Sequence, residues 1–161
     1  QLALGHPTLG YYATREPFGA DGDFVTAPEL SQVFGELIGL CLAQRWQELG
    51  RPDPALLVEL GPGRGTLMAD AWRATRRVDG FHAAVRLHLV ETSPRLRALQ
   101  AERLADTGAR WHGDLAEVPD GRPLLLVANE LLDALPVRQF ERTREGWRER
   151  LVTLDGACRL A

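Results

Sequence analysis

Short apolar runs that alternate with helical patterns constrain this chain more than any other feature of its sequence. The runs cover residues 56–60, 85–90, a few positions around Trp111, 124–128 and 137–140, while helical periodicity fills 66 to about 77 and 94 to about 105. Strands separated by helices pair in parallel, because each crossover carries the chain back over the sheet before the next strand starts. The expected fold is therefore α/β, a Rossmann-like three-layer sandwich with a mainly parallel sheet. Ser93 followed by Pro94 has the form of a helix cap with proline at the first helical position. Leu124-Leu125-Leu126-Val127 is apolar on both faces, as a central strand covered on each side would be.

A long helix is expected ahead of the first strand. Thr26-Ala27-Pro28-Glu29 has the capping-box form, in which the threonine hydroxyl and the glutamate three residues on satisfy free backbone donors. Leu30, Val33, Phe34, Leu37, Ile38, Cys41, Leu42, Trp46 and Leu49 then recur at spacings of three and four, predicting one buried stripe, and Gly50 supplies a stop. Gly35 and Gly39 predict close packing of another element; Glu36 and Arg45 on the same helix argue against a membrane seam. The predicted organisation is one domain, with a loop or lid over 1–28, a helix over 29–50, and the sheet with its helices over 55–161.

A chain of 161 residues can bury one substantial core. Its net charge of -3 supplies no basic face for nucleic acid, so none is expected as a partner. All its Lys/Arg residues are arginine, which fits a GC-rich coding bias, and the arginine-rich stretch 138–150 reads as a solvated strand face. No apolar run reaches the eighteen or so residues of a membrane span. Cys41 and Cys158 lack metal-ligand spacing, so no metal is expected, and Cys41 falls on the predicted apolar stripe as a small hydrophobe. The sequence opens on Gln1 and stops just after the strand-like stretch 147–154, which reads as a fragment and leaves localisation open. Oligomeric state has no signal.

In a doubly wound sheet, ligands sit beyond the carboxyl ends of the strands where strand order reverses. The first such end is Glu59-Leu60-Gly61-Pro62-Gly63-Arg64-Gly65, with a helix starting at Thr66. Its glycines permit a sharp turn and let a ligand approach the backbone. A dinucleotide fingerprint is G-x-G-x-x-G, whereas this turn is G-x-G-x-G preceded by an acid, which suits a cationic nucleoside better than a diphosphate. S-adenosylmethionine, with a sulfonium, an ammonium and no phosphate, is the expected cofactor. A phosphate loop would need a lysine that the chain lacks.

Glu91, followed by Thr92, ends the second run, where a carboxylate can accept both ribose hydroxyls. A nicotinamide cofactor would use the same acid. Asp114 and Leu115 after the third run are candidates for the adenine amino group and ring plane, though an aspartate after glycine is also a common turn residue. His88 and His112 read as structural. The fourth run leads into Asn129, Glu130 and Asp133, candidates to orient a nucleophile and take its proton; equally, Asn129 could cap a helix with the acids at its positive end. Asn129 also belongs with the cofactor candidates. Asp23, in Gly22-Asp23-Phe24-Val25-Thr26, is a further catalytic candidate, on a loop that could fold over the site with Gly10-Tyr11-Tyr12.

These blocks, together with Phe34-Gly35-Glu36 and Val90-Glu91-Thr92-Ser93-Pro94, resemble the MidA family, the mitochondrial complex I assembly methyltransferases and their bacterial relatives. The resemblance covers nearly the whole chain. It implies a class I methyltransferase fold binding S-adenosylmethionine at Glu59, Gly61, Gly63, Gly65 and Glu91, with Pro62 and Thr66 in the same turn. It further implies a protein substrate, an arginine of a respiratory-complex subunit. The compartment implied is the cytoplasm in a bacterium and the mitochondrial matrix in a eukaryote. Leu131-Leu132 departs from the paired phenylalanines usual after the Asn-Glu, which puts the shape of the acceptor pocket in question. Two other functions fit less of the sequence: a cofactor-binding assembly factor or chaperone in which turnover is secondary, and a nicotinamide-dependent oxidoreductase.

Overall fold

The computed structural model describes residues 26–135, 137–153 and 159–160. Four parallel strands form its sheet: β1 (Ala55–Leu60), β2 (Val85–Val90), β3 (Arg110–His112) and β4 (Leu124–Ala128), in spatial order β3-β2-β1-β4. The first crossovers lead outward from β1 to β2 and β3, and the next returns to the other side of β1. Strand order thus reverses between β1 and β4. Register is set at Leu57↔Leu87 and Leu57↔Leu125, which aligns apolar side chains on one face.

That face carries the core. Leu57, Leu87, Leu89 and Leu125 meet Ala43, Trp46, Met68, Ala71, Phe81 and Leu104 in one buried cluster. Trp46 is 2% exposed, packs edge-on against Phe81 at 5.3 Å between ring centroids, and donates its indole N–H to the Pro52 carbonyl at 3.0 Å. The indole therefore fills the core without stranding its one polar atom.

The predicted helix over 29–50 is present but divided. A short α1 (Ala27–Leu30) ends at Ser31, whose extended backbone begins α2 (Gln32–Glu48) and whose hydroxyl accepts from the Val33 N–H. The capping box does not form: Thr26 makes no side-chain cap, and Glu29 is engaged elsewhere. The predicted stripe is also corrected. Leu30, Val33 and Leu37 are exposed, as is Cys41, and the buried positions of α2 are Gly35, Gly39, Ala43 and Trp46.

The reason is the close approach of α3 (Thr66–Ala74). A Cβ added at Gly39 would lie 2.5 Å from the Ala71 Cα, and one at Gly35 would lie 2.8 Å from the Asp70 Cβ. Two backbones this near admit only hydrogen at the seam, so the glycines, not the leucines, choose the face. Arg73 staples the edge of the seam, donating to Glu36 and Asp70 at 2.6 Å each. Both pairs are partly exposed and contribute little.

After α3 come a 3₁₀ turn, Thr75–Arg77, and the one-turn α4 (Phe81–Ala84). Helix α5 (Pro94–Arg103) follows β2, with Ser93 accepting from the Leu96 N–H and proline in its first turn, as its sequence predicts. The run 137–140 does not join the parallel sheet. Its last residue opens β5 (Phe140–Thr143), which pairs antiparallel with β6 (Gly146–Glu149) in a separate hairpin. A reversal at Arg144-Glu145, closed by Thr143 Oγ1 accepting from the Glu145 N–H, makes local pairing available before any crossover. β7 (Val152–Thr153) and β8 (Arg159–Leu160) form a second small pair.

β4 also departs from expectation. It is an edge of the described sheet, and Leu124 and Leu126, facing away from the core cluster, are 48% and 42% exposed. Only Leu125 and Val127 of this doubly apolar run meet the helix layer. Among the described residues no helix is long and apolar enough to cross a membrane.

Candidate cofactor site

The turn from β1 into α3 is built by three glycines in the left-handed region: Gly61, Gly63 and Gly65, at φ +61°, +55° and +77°. Side chains with a Cβ are strained there, so the sharp reversal depends on glycine. The Gly65 N–H closes it on the Pro62 carbonyl at 2.8 Å, and the Gly61 N–H binds the Val90 carbonyl of β2 at 3.0 Å. Gly65 is the N-cap of α3 and carries no side chain to occupy the helix's free amides.

A cleft open to solvent lies where strand order reverses. Glu59, Gly61, Pro62, Gly63, Arg64, Thr66 and Leu67 line it from the β1 side, Asn129 and Glu130 from the end of β4, and Thr26, Pro28 and Glu29 from α1 and its approach. Glu59 is 2% exposed, and its Oε2 has no hydrogen-bond partner among the described residues. Burial pushes its carboxyl up to about 8. An acid held neutral by desolvation, with an oxygen left unpaired, fits a cationic group arriving in the cleft.

Glu130 stands at φ +48°, a left-handed position for a residue with a side chain. Strain of this kind gathers at sites where geometry serves a ligand. The next residue, Leu131, turns back over the glycine turn: its Cδ1 would be 2.6 Å from a Cβ at Gly61. Asn129 does not cap a helix; the one-turn 3₁₀ segment Leu132–Ala134 starts from Leu131. Asp133 is exposed in that segment and is not among the residues that line the cleft.

Glu91 is displaced toward β2 and β3. Its Oε1 accepts from the Ser93 N–H at 2.8 Å, and burial raises its carboxyl, opposed by the backbone amides of Ser93 and Thr92 and by Gln100. Thr92 beside it is exposed. Asp114 and Leu115 are exposed beyond β3, where the aspartate carboxylate accepts from the Ala116 N–H at 2.8 Å and starts a 3₁₀ turn. Glu91, Asp114 and Leu115 follow β2 and β3 in the sheet, outside the residues lining the cleft. His88 and His112 stack and share a 2.7 Å hydrogen bond between ring nitrogens, which occupies both in structure. Asp23 and Gly10-Tyr11-Tyr12 lie outside the described residues.

Two participants escape sequence reasoning. Glu29, read as half of a capping box, instead accepts from the Thr66 hydroxyl at 2.5 Å, and Arg103 donates to that same hydroxyl. Gln100, in the middle of α5, is wholly buried and binds the glycine turn. A glutamine among arginines on a helix gives no signal of burial. Among the described residues no cluster of acids, histidines or cysteines could hold a metal ion.

Comparison with known proteins bears on this geometry. The model of a family described as "Putative S-adenosyl-L-methionine-dependent methyltransferase" matches residues 37–159. The chain is 39% identical to protein arginine methyltransferase NDUFAF7, mitochondrial, of Danio rerio, over 95% of this chain and 42% of that protein. It is 40% identical to the Drosophila melanogaster homolog, over 96% of this chain and 40% of that one. The chain thus spans about two fifths of the length of these curated relatives. A crystal structure of a Burkholderia thailandensis protein bound to S-adenosyl-homocysteine superposes with a TM-score of 0.77 at 34% identity, covering 99% of this chain and 42% of that one. On the family match over most of its length and on its β3-β2-β1-β4 parallel sheet, the chain belongs to the MidA-type family of S-adenosylmethionine-dependent methyltransferases.

Proposed function

We propose that this chain forms the cofactor-binding part of a protein methyltransferase that transfers a methyl group from S-adenosylmethionine to an arginine nitrogen. The observation that carries this reading is Glu59, a buried carboxyl with a partnerless oxygen at a cleft formed by a glycine turn and the end of β4. The names of the relatives supply the acceptor class.

Glu59, the turn 61–65 with Thr66, and Glu91 with Thr92 hold the cofactor, Asp114 and Leu115 lying further along the same strand-end edge. When bound, S-adenosylmethionine supplies a methyl group activated on a sulfonium. Glu59 compensates positive charge, and its ionisation on pairing releases the proton that burial holds there. The turn presents its backbone without side chains in the way. Asn129 and Glu130 face the cleft from β4, where an amide and a carboxylate can orient a guanidinium in line with the leaving sulfur and exclude water. The nitrogen that gains the methyl must lose a proton, and the Glu130 carboxylate is the group proposed to receive it. Asp133 and Asp23 complete the set of acids assigned to the acceptor side. The acceptor is a protein side chain, with a respiratory-complex subunit the first candidate. The compartment is the mitochondrial matrix in a eukaryote, as for the named relatives, and the cytoplasm in a bacterium.

Calorimetry of the full-length protein with S-adenosylhomocysteine tests the cofactor assignment. Binding in the micromolar range is expected, and no heat at millimolar ligand would overturn it. The acceptor is tested by mass spectrometry of partner proteins from cells with and without the gene, where an arginine should lose its methyl group.

A further inference from the structure

Gln100 is not among the residues that line the cleft, yet its side chain ties the glycine turn to Glu91. Its side chain is 0% exposed, yet every polar atom is used. Nε2 donates to the Gly63 carbonyl at 2.7 Å and lies 3.5 Å from Glu91 Oε2, while Oε1 accepts from the Trp111 indole N–H at 2.8 Å. An indole N–H can only donate, which settles the direction of the amide: oxygen toward β3, nitrogen toward the turn and the acid. The methylene stem does a second job. A Cβ at Gly65 would lie 3.3 Å from Gln100 Cγ, so the stem occupies the ground beside the last glycine of the turn.

One side chain therefore spans the two parts assigned to the nucleoside. The Gly63 carbonyl belongs to the turn after β1, and Glu91 belongs to the end of β2. Their strands are neighbours, but strand pairing alone leaves a carbonyl and a carboxylate free to rotate. Glu91 Oε1 is already bound to the Ser93 N–H at 2.8 Å. Oε2 has a long 3.5 Å contact with Gln100, and the Thr92 amide also acts on the carboxylate, so Gln100 biases its orientation without saturating its lone pairs.

We propose that Gln100 is a positioning residue for the nucleoside, holding the Gly63 peptide and the Glu91 carboxylate in one geometry so that Glu91 Oε2 meets the ribose hydroxyls. This rests on the proposed cofactor assignment and names a residue through which it works. Supporting groups of this kind, buried and fully bonded, are what keep a site within a few tenths of an ångström of its working geometry. A carboxylate in place of the amide would set two acceptors against each other at Gly63 and a third against Glu91.

The test measures dissociation constants for S-adenosylhomocysteine and 5′-methylthioadenosine on the full-length protein. Wild type, Gln100→Met, Glu91→Gln and the double variant form a cycle, with ligand-free melting recorded for each. Gln100→Met keeps the volume and removes the donor. It should weaken both ligands about tenfold or more, and the loss should largely vanish when Glu91 is already glutamine, because coupled residues are not additive. Trp111→Phe, which only frees the amide to turn, should weaken both a few-fold and serves if Gln100→Met does not fold. Binding by Gln100→Met within twofold of wild type overturns the inference. Additive losses overturn it too, since they assign Gln100 to the fold alone. Under the fallback, an unchanged affinity in Trp111→Phe has the same force. Failure of wild type to bind either ligand overturns the cofactor assignment itself, an outcome distinct from all of these.

Discussion

The α2–α3 seam and the carboxyl edge of β1 both depend on glycine, for opposite reasons. At the seam Gly35 and Gly39 exist so that protein can touch protein, with Leu67 and Asp70 standing where a side chain at Gly35 would be and Ala71 backbone where one at Gly39 would be. At the strand end the glycines turn the chain back on itself and leave a cleft lined by backbone and by Glu59. One region is sealed and its polar groups are accounted for; the other buries an acid with an oxygen to spare. The contrast supports the proposed reading, since a buried carboxyl with an unpaired oxygen fits a site that a ligand completes.

Substitutions should fall on either side of that line. The largest loss of stability is expected from Gly39→Val, which drives two methyls into the Ala71 backbone; about 3 kcal/mol or more should be lost in urea unfolding. A loss under 1 kcal/mol would mean that the helices separate easily. Gly65→Ala should cost about 1–2 kcal/mol for its left-handed backbone and lower cofactor affinity more than stability. Equal affinity for S-adenosylhomocysteine would detach the turn from binding.

Glu59→Gln sharpens the comparison through pH. The carboxyl is pushed up to about 8 in the folded protein against an ordinary 4.5. Below pH 4.5 both states hold the proton and the acid carries no penalty. Between 4.5 and 8 the unfolded chain releases it and the folded one does not, so stability relative to Glu59→Gln should fall by up to about 1.4 kcal/mol per pH unit and level off above 8. Parallel pH profiles for the two proteins would contradict this. A cationic ligand should reverse the trend, with wild-type affinity rising toward pH 8.

At the small end, Ser31→Ala removes the cap at the α1–α2 break and should cost about 1 kcal/mol. Cys41→Ser, on the exposed side of α2, should change stability by less than about 0.5 kcal/mol. A larger effect would return Cys41 to the buried stripe predicted for it.

That misplaced stripe shows where sequence reasoning stops. The β1 turn was legible because an acid, three glycines and a helix start have few uses in common, and the alternation of strands and helices led directly to the parallel sheet. Gly35 and Gly39 announced a close approach correctly. Helix α2, however, is apolar around most of its surface, with Leu37 and Leu40 exposed as well as Trp46 buried. Periodicity alone then cannot choose a face, and the seam decides. Glu29 and Gln100 were hidden for another reason: their partners are Thr66 and Gly63, each 37 residues away. Only the crossover brings them together. The 137–140 run failed because a tight reversal nearby offered a local partner first.

The placement of β4 has a consequence in time as well as in space. Leu56 pairs with Leu124 and Leu60 with Ala128, across the whole of β2, β3 and their helices. Pairings so distant along the chain form late, after local βα units have assembled. A folding chain can therefore possess the glycine turn, Glu91 and much of its core while Asn129 and Glu130 are still unattached. Recognition by both walls of the cleft becomes available only when β4 docks, so a ligand that needs both reports on that pairing.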